Sequence, residues 1–403
     1  MPDEYEIGPI EAGEERQFIE AALNAFLDDL HEEDAALWAR MLEPERTLVA
    51  RADGAIVANS ALITMRLAIP GGVVPMAGVT AVGVDPVHRR RGLLDRLMRG
   101  HLTAIHERGD EALSALWASE AGIYGRWGYG QATRVADIEI RSPDARLLAG
   151  APPGRPRTGA VPDLIGHLRT VYAAIQPGYP GLYARDDVLW DDAIADFEHR
   201  REGFGSLRAL ASDGGYALYA VRDKHVDGRP EAEIRVRELM AAMPEDRAIL
   251  WEHLLRLSLT RSVQWSLAPE DEPLPHMLTD SRAVRARLGD GLFVRLVDLP
   301  RALAQRTYAA PLDVVLDVAD TACPWNAGRW RLAADASGAT CERTEAAADL
   351  ALSATELGAA YLGGTPLVLL AAAGRIDERT PGALATASRA FKGLREPWCA
   401  APF

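Results

Sequence analysis

AGVTAVGVDPVHRRRGLLDRLMRGHLTAIHERG, residues 77–109, is the stretch on which the architecture turns. Its apolar, β-branched start predicts a strand, and Asp85 with Pro86 predicts a turn. Leu94, Leu97, Met98, Leu102 and Ile105 then recur at the spacing of one helix face, with Gly109 placed to cap the end. A helix N-terminus presents backbone N–H groups without internal partners and carries partial positive charge, so it suits a diphosphate. Arg89, Arg90 and Arg91 add fixed charge there, and Gly92 lets phosphate oxygens approach the backbone where a Cβ would intrude.

Upstream, residues 18–41 show helical spacing, with Ala21, Ala22, Phe26 and Leu30 on one face. Strands are expected over 47–57 and 60–67 around a turn at Asp53 and Gly54, and a third follows the breakers Pro70, Gly71 and Gly72. Downstream, 112–119 reads as the next strand. APPGRPRT, residues 151–158, reads as a linker. Beyond it come a helix over 164–175, strands over 206–221 and 231–242, and an amphipathic helix over 245–258. That order echoes the first third and suggests a duplication. The copy carries Met243, Pro244 and Glu245 where the arginine-rich turn would stand, so it is expected not to bind the same ligand. A separate α+β pattern starts near Leu292, with strands near 314–318, 330–334, 339–342 and 350–352 and helices over 356–362 and 383–391.

The chain has 403 residues, 25% of them charged, and a formal charge of −14. That length implies two or three domains. The acidic balance argues against nucleic acid as partner, which would demand clustered Lys and Arg, and suits a cationic substrate. No apolar run reaches the length of a membrane span, and residues 1–10 carry no export pattern, so a cytoplasmic enzyme with no membrane partner is expected. Cys323, Cys341 and Cys399 form no C-x-x-C pair, and no H-E-x-x-H set occurs, so no metal site is expected and the thiols read as buried packing residues.

HRRRGLL, residues 88–94, resembles the coenzyme-binding motif of the GNAT superfamily of N-acetyltransferases, and within it the Eis-like (enhanced intracellular survival) group. Leu94 stands where the general GNAT pattern has a small residue, as is usual in that group. GIYGRWGYG, residues 122–130, is similar to a second signature of the group. LDVVLDVADTACPWNAGRWRL (312–332), YLGG (361–364) and EPWCAAPF (396–403) resemble its closing sterol-carrier-protein-like domain. The implied fold is α/β: two tandem GNAT-like domains of mixed sheet and helices, 1–148 and 149–290, the second without a coenzyme motif, then an α+β sterol-carrier-like domain, 291–403.

The resemblance implies acetyl-CoA as co-substrate, bound by Val82, Gly83 and Val84 along the pantetheine arm and by Arg89, Arg90, Arg91, Gly92, Leu93, Leu94 and Asp95 around the phosphates. Ser119 and Glu120 would lie beside the thioester. On residue chemistry alone, Tyr124 and Tyr129 both read as phenols in a glycine-rich turn or as buried structural tyrosines. The resemblance makes Tyr124 the general acid and the Phe403 carboxylate the general base, although a chain terminus by itself would be expected to fray. It also places Asp28 and Trp38 against a cationic acceptor of the aminoglycoside type, acetylated at several amines, and implies a homohexamer. Three other functions remain open at this point: acetylation of protein lysines, a lipid- or acyl-binding role led by the last domain, and an inactive regulatory relative.

Overall fold

The computed structural model describes residues 5–150 and 154–403. Asp53 and Gly54, both at positive φ, join Thr47–Ala52 to Ala55–Ile69 in a tight hairpin. Gly71, also at positive φ, turns the chain into the antiparallel strand Gly72–Val84. The helix Leu93–Arg108 then carries it over to Leu113–Trp117, parallel to Gly72–Val84. Leu97, Met98, Leu102 and Ile105 are fully buried beneath that helix, each contributing about 1.5–3 kcal/mol of apolar burial. The expected helical run over 18–41 is two helices, Glu15–Phe26 and Glu32–Met41. The break falls where Leu27 adopts a left-handed conformation and Asp28 bonds the N–H of Asp29, competing with the helical ladder. The buried face is Phe18, Ile19, Ala22 and Leu23, while Phe26 is half exposed.

The hydrogen bonding crosses the boundaries expected at 148 and 290. Sheet order in the first lobe is Glu6–Gly8, Thr47–Ala52, Ala55–Ile69, Gly72–Val84, Leu113–Trp117, Leu292–Leu296, Gly130–Gln131. In the second it is Val284–Asp290, Arg134–Arg141, Thr260–Pro269, Ala232–Ala241, Gly215–Arg222, Arg208–Ala211, Arg157–Ala160. Read from the other end, the two sheets match: an antiparallel pair, a parallel pair, then a strand from the opposite lobe. Each lobe therefore gives the other one strand. Arg134–Arg141 follows the last strand of the first sheet and pairs in the second, and Leu292–Leu296 does the reverse. The pattern near Leu292 thus starts with a strand of the first lobe, not of the third domain. Arg157–Ala160 is an edge strand, so only the start of the expected linker is left, and its residues 151–153 lie outside the described residues.

The third domain is a five-stranded sheet in the order Gly338–Arg343, Gly328–Asp335, Leu312–Ala319, Leu350–Ser353, Asp377–Glu378. One apolar core runs from Leu67 and Leu113 of the first lobe through Val294 to Leu316, Leu332 and Phe391 of this domain. At the seam Arg295, fully buried, bonds Asp320 at 2.6 Å. Trp325 stacks on His106 at 4.0 Å, and the Thr321 carbonyl accepts from Arg99, so this domain braces the helix Leu93–Arg108 from outside. The three cysteines are free and buried. No helix among the described residues is long and apolar enough to cross a membrane.

Candidate active site

Gly72–Val84 and Leu113–Trp117 hydrogen-bond through only three pairs, Met76↔Leu113 to Gly78↔Ala115. Beyond Gly78 the ladder ends, and residues 79–82 and 116–119 line opposite walls of a cavity of ≈ 550 Å³. A bulge opposite Ser60 places Ala81 at φ +51°, a conformation that costs an L-residue about 1–2 kcal/mol. Asn59 holds it by donating its amide to the Ala81 carbonyl at 2.5 Å. Strain kept at this one point turns the Ala81–Val82 backbone out of the regular ladder and toward the gap.

At the far end of that strand, Asp85 accepts from the Val87 N–H, closing a single 3₁₀ turn over Pro86–His88. Arg90 and Gly92 take positive φ and bring the chain sharply into Leu93–Arg108. The first helical backbone bond is made by Arg96, to the Gly92 carbonyl, which leaves the preceding N–H groups of Leu93, Leu94 and Asp95 at the anion-attracting end. Open space surrounds Gly92, so its requirement is its φ of +77°. Arg89, Arg90, Arg91 and Gly92 are exposed, with Arg91 over the Tyr5 ring at 5.9 Å and Tyr5 bonded to His88 at 3.0 Å. Leu93 is buried, and Leu94 packs half-buried on the core that holds Tyr124. Asp95 engages both carboxylate oxygens, one with the Trp127 indole at 2.8 Å and one with Arg99 at 2.9 Å, so it ties the coenzyme-side helix to the glycine-rich turn. These features fit a diphosphate with an extended arm: a basic helix start, then an unpaired strand edge leading inward.

At the inner end of the cavity stands Ala121–Tyr124, one helical turn carrying Tyr124 at the cavity wall. Burial raises the Tyr124 phenol to about 12, the Glu120 carboxylate pushes in the same direction, and Ser119 opposes them in part. Ser119 lines the cavity, whereas Glu120 is exposed at the start of the turn. Tyr129 is different. It is fully buried and bonded at 2.8 Å to Ser114, whose hydroxyl also reaches the Ala77 carbonyl. The neighbouring glycines are explained by packing: a Cβ on Gly128 would strike Arg295, and one on Gly130 would strike the backbone of Ala354–Ala360 from the third domain.

Phe403 enters the same cavity. Its main-chain oxygen accepts from the Thr80 hydroxyl at 3.1 Å, and its ring meets Tyr183 edge-on at 5.6 Å. Gly78 makes room for that ring, since a Cβ there would collide with it. The tail is anchored before it arrives. Trp398 donates its indole N–H to the Leu267 carbonyl at 2.8 Å, packs on Trp265, and is part of the second lobe's core. The second lobe therefore supports the end of the chain, while its own crossover helix, Pro244–Leu255, starts two residues after a strand and leaves no turn for phosphate.

On the acceptor side, Trp38 lines the cavity; Asp28 is exposed at the end of its helix and does not. Among the lining residues that escaped the sequence reading are two charged ones, Asp192 and Arg200, both from the second lobe. They come from a helix, Asp187–Ile194, and the turn after it, and no motif marks them. The signal available in retrospect is the run of acids at 191, 192, 196 and 198 closed by Arg200 and Arg201, which is equally the pattern of a solvated surface. Among the described residues no group of three or more His, Cys, Asp or Glu side chains is placed to hold a metal ion.

Family models of GNAT acetyltransferase domains match residues 6–132 and 181–296, and a sterol carrier protein domain model matches 299–400. An uncharacterised N-acetyltransferase of Streptomyces avermitilis is 41% identical over 377 residues, 91% of each chain. N-acetyltransferase Eis of Mycobacterium tuberculosis is 34% identical over 388 residues, 92% of each chain. The crystal structure of Eis1 from Mycobacterium abscessus superposes with a TM-score of 0.87 at 30% identity, covering 99% of this chain and 100% of that one. With these matches over nearly the whole length and the same three-part order throughout, the chain belongs to the Eis-like GNAT acetyltransferases and is an acetyl-CoA-dependent N-acetyltransferase acting on an amine acceptor.

Proposed function

We propose that acetyl transfer takes place in the first-lobe cavity by direct attack, with the Phe403 carboxylate as general base and Tyr124 as general acid. One observation carries the reading: a carboxylate held by Thr80 and a phenol kept protonated by burial line one cavity, at the point where two parallel strands part. An ammonium ion has no lone pair, so a base must take its proton before attack. The carboxylate does this, directly or through one water. The neutral amine, held in near-attack geometry, adds to the thioester carbonyl. Backbone N–H groups along 79–84 stabilise the developing oxyanion. As the tetrahedral adduct collapses and its C–S bond breaks, Tyr124 protonates the leaving sulfur, and the proton that the adduct's nitrogen sheds on becoming an amide returns to the phenolate through water, so the phenol is restored.

In this reading the pantetheine arm lies along Val82, Gly83 and Val84, and the diphosphate lies on the N–H groups after Gly92 with Arg89, Arg90 and Arg91 around it. Asp95 holds the helix in place through Trp127, a positioning role. The resemblance to Eis-like enzymes brings two further proposals: an aminoglycoside-type acceptor and a homohexamer. Asp28 lends the first little support, being outside the cavity. The hexamer is tested by sedimentation velocity, where a monomeric species at micromolar concentration would refute it. The chemistry is tested by thiol release from acetyl-CoA with an amine panel. Tyr124→Phe should lower kcat by about 10²-fold or more while acetyl-CoA affinity, measured by calorimetry, stays put. Unchanged kcat would remove Tyr124 from the mechanism.

A further inference from the structure

The second lobe holds a cavity of its own. Ala160 pairs with Arg208 and Arg208 with Tyr219, so these side chains form one row across three strands on a single sheet face. Thr158 follows on that face, two residues before Ala160. His253, near the end of the helix Pro244–Leu255, and Leu257 just beyond it close the row into a cavity of ≈ 400 Å³. In the first lobe the counterpart strand and helix meet directly: Ser60 bonds His101 at 2.8 Å, and both are buried. In the second lobe Tyr219 and His253 come from the same two elements, yet His253 Nε2 is shielded from solvent with no hydrogen-bond partner. Arg208 is exposed and makes no ion pair with another described residue. No acid lines the cavity; Asp163 stands by Gly159 on the following helix and is not part of the wall.

We propose that this cavity binds a small organic oxyanion, one carboxylate or phosphate group on a compact apolar body. The Arg208 guanidinium supplies the charge, and the Tyr219 and Thr158 hydroxyls and the His253 imidazole each donate a hydrogen bond. Burial lowers the His253 imidazole, so the ring is neutral and, in one tautomer, offers the N–H of an atom that the protein itself leaves bare. The body lies against Leu257, Ala160 and the Tyr219 ring. The carbonyl end of the helix opposes an anion, but that dipole is weaker than a hydrogen bond from a charged guanidinium. The lobe without a coenzyme turn thus carries a ligand site of a different kind, on the far side of its crossover helix from where a diphosphate would sit.

The test is ligand-detected saturation-transfer NMR on the full chain, saturated with coenzyme A so that the turn around Gly92 is filled. The probes are butyrate, n-butyl phosphate and n-butanol, which share a body and differ in the head group. At least one anion should saturate the protein in the millimolar range, with butanol weaker by roughly fivefold or more. Saturation by butyrate alone assigns a carboxylate ligand, by butyl phosphate alone a phosphate ester, and by both an oxyanion of either kind. Arg208→Leu should weaken the anions by roughly fivefold or more, while a melting curve and acetyl transfer, which Arg208 does not touch, confirm that the variant is folded. The proposal is overturned if neither anion saturates by about 50 mM, if butanol comes closer to the anions than that factor, or if Arg208→Leu costs less than it. Acetyl transfer in the first lobe stands whichever way this test falls.

Discussion

Adding one glycine after Phe403 tests the catalytic role of the chain end without removing anything that packs. The aromatic ring, its contact with Tyr183 and the tail anchor at Trp398 all remain. Thr80 can still donate to the Phe403 oxygen, now a peptide carbonyl. What changes is the charge: the new carboxylate is displaced by about 3.8 Å, one Cα-to-Cα step. A general base works at about 2.6–3.2 Å between heavy atoms or through one positioned water, so that displacement takes the carboxylate out of direct reach and misplaces any water it would hold. General-base catalysis typically contributes 10²–10⁴-fold, and we expect kcat to drop by about 10²- to 10³-fold, or ~3–4 kcal/mol in the barrier. Acetyl-CoA affinity should hold, because the extension does not touch the turn around Gly92. The assay is steady-state thiol release with the best available amine, accompanied by calorimetry with acetyl-CoA and a melting curve. Full turnover by the extended protein, with normal coenzyme binding and melting, would refute the base assignment outright.

Other expected outcomes follow from the same structure. Gly92→Val forces an L side chain into φ +77°, a cost of about 1–2 kcal/mol, and puts a branched Cβ where phosphate oxygens should approach; calorimetry should show acetyl-CoA binding weaker by about tenfold or more. Because burial holds Tyr124 protonated up to about 12, kcat/KM should climb with pH from 6 to 9.5 as the acceptor amine loses its proton, with no alkaline fall in that window; a fall near 9 would place another group in the acid role. His101 is buried against Ser60 at 2.8 Å and burial lowers it to about 4, below its ordinary value of 6.5. The unfolded chain therefore binds the proton first as pH drops, and stability should decline between pH 6.5 and 4 by about 3 kcal/mol. His101→Gln should remove that share of the decline in urea melts, and an unchanged profile would show that the imidazole is not held neutral. Asp320→Ala leaves Arg295 buried without its carboxylate and should cost about 3–5 kcal/mol, seen as a lowered urea midpoint.

Local chemistry alone determined the strand, turn and helix that lead from Gly72 to Arg108. A β-branched strand, a basic turn with a glycine at positive φ and an amphipathic helix are neighbours in the chain, so their placement in space follows from short-range geometry, and Gly72–Val84 and Leu93–Arg108 were legible as strand and helix. The hairpin at Asp53 and Gly54 and four of the third domain's five strands were legible for the same reason, the short edge strand Asp377–Glu378 being missed. Tertiary structure alone decided everything that joins distant segments. Arg134–Arg141 alternates apolar and polar residues and Leu292–Leu296 is a short buried run, with nothing in either composition to say which sheet it enters, and the two lobes exchange them because each sheet offers an equivalent open position. Asp192 and Arg200 look like any solvated pair until the second lobe brings them to the cavity of the first. The position of Phe403 likewise depends on Trp398 finding Leu267 and Thr80 finding the carboxylate, across 131 and 323 residues of chain. Such contacts are selected by the packed fold as a whole, because the entropy of closing loops that long is repaid only when the surrounding core is complete.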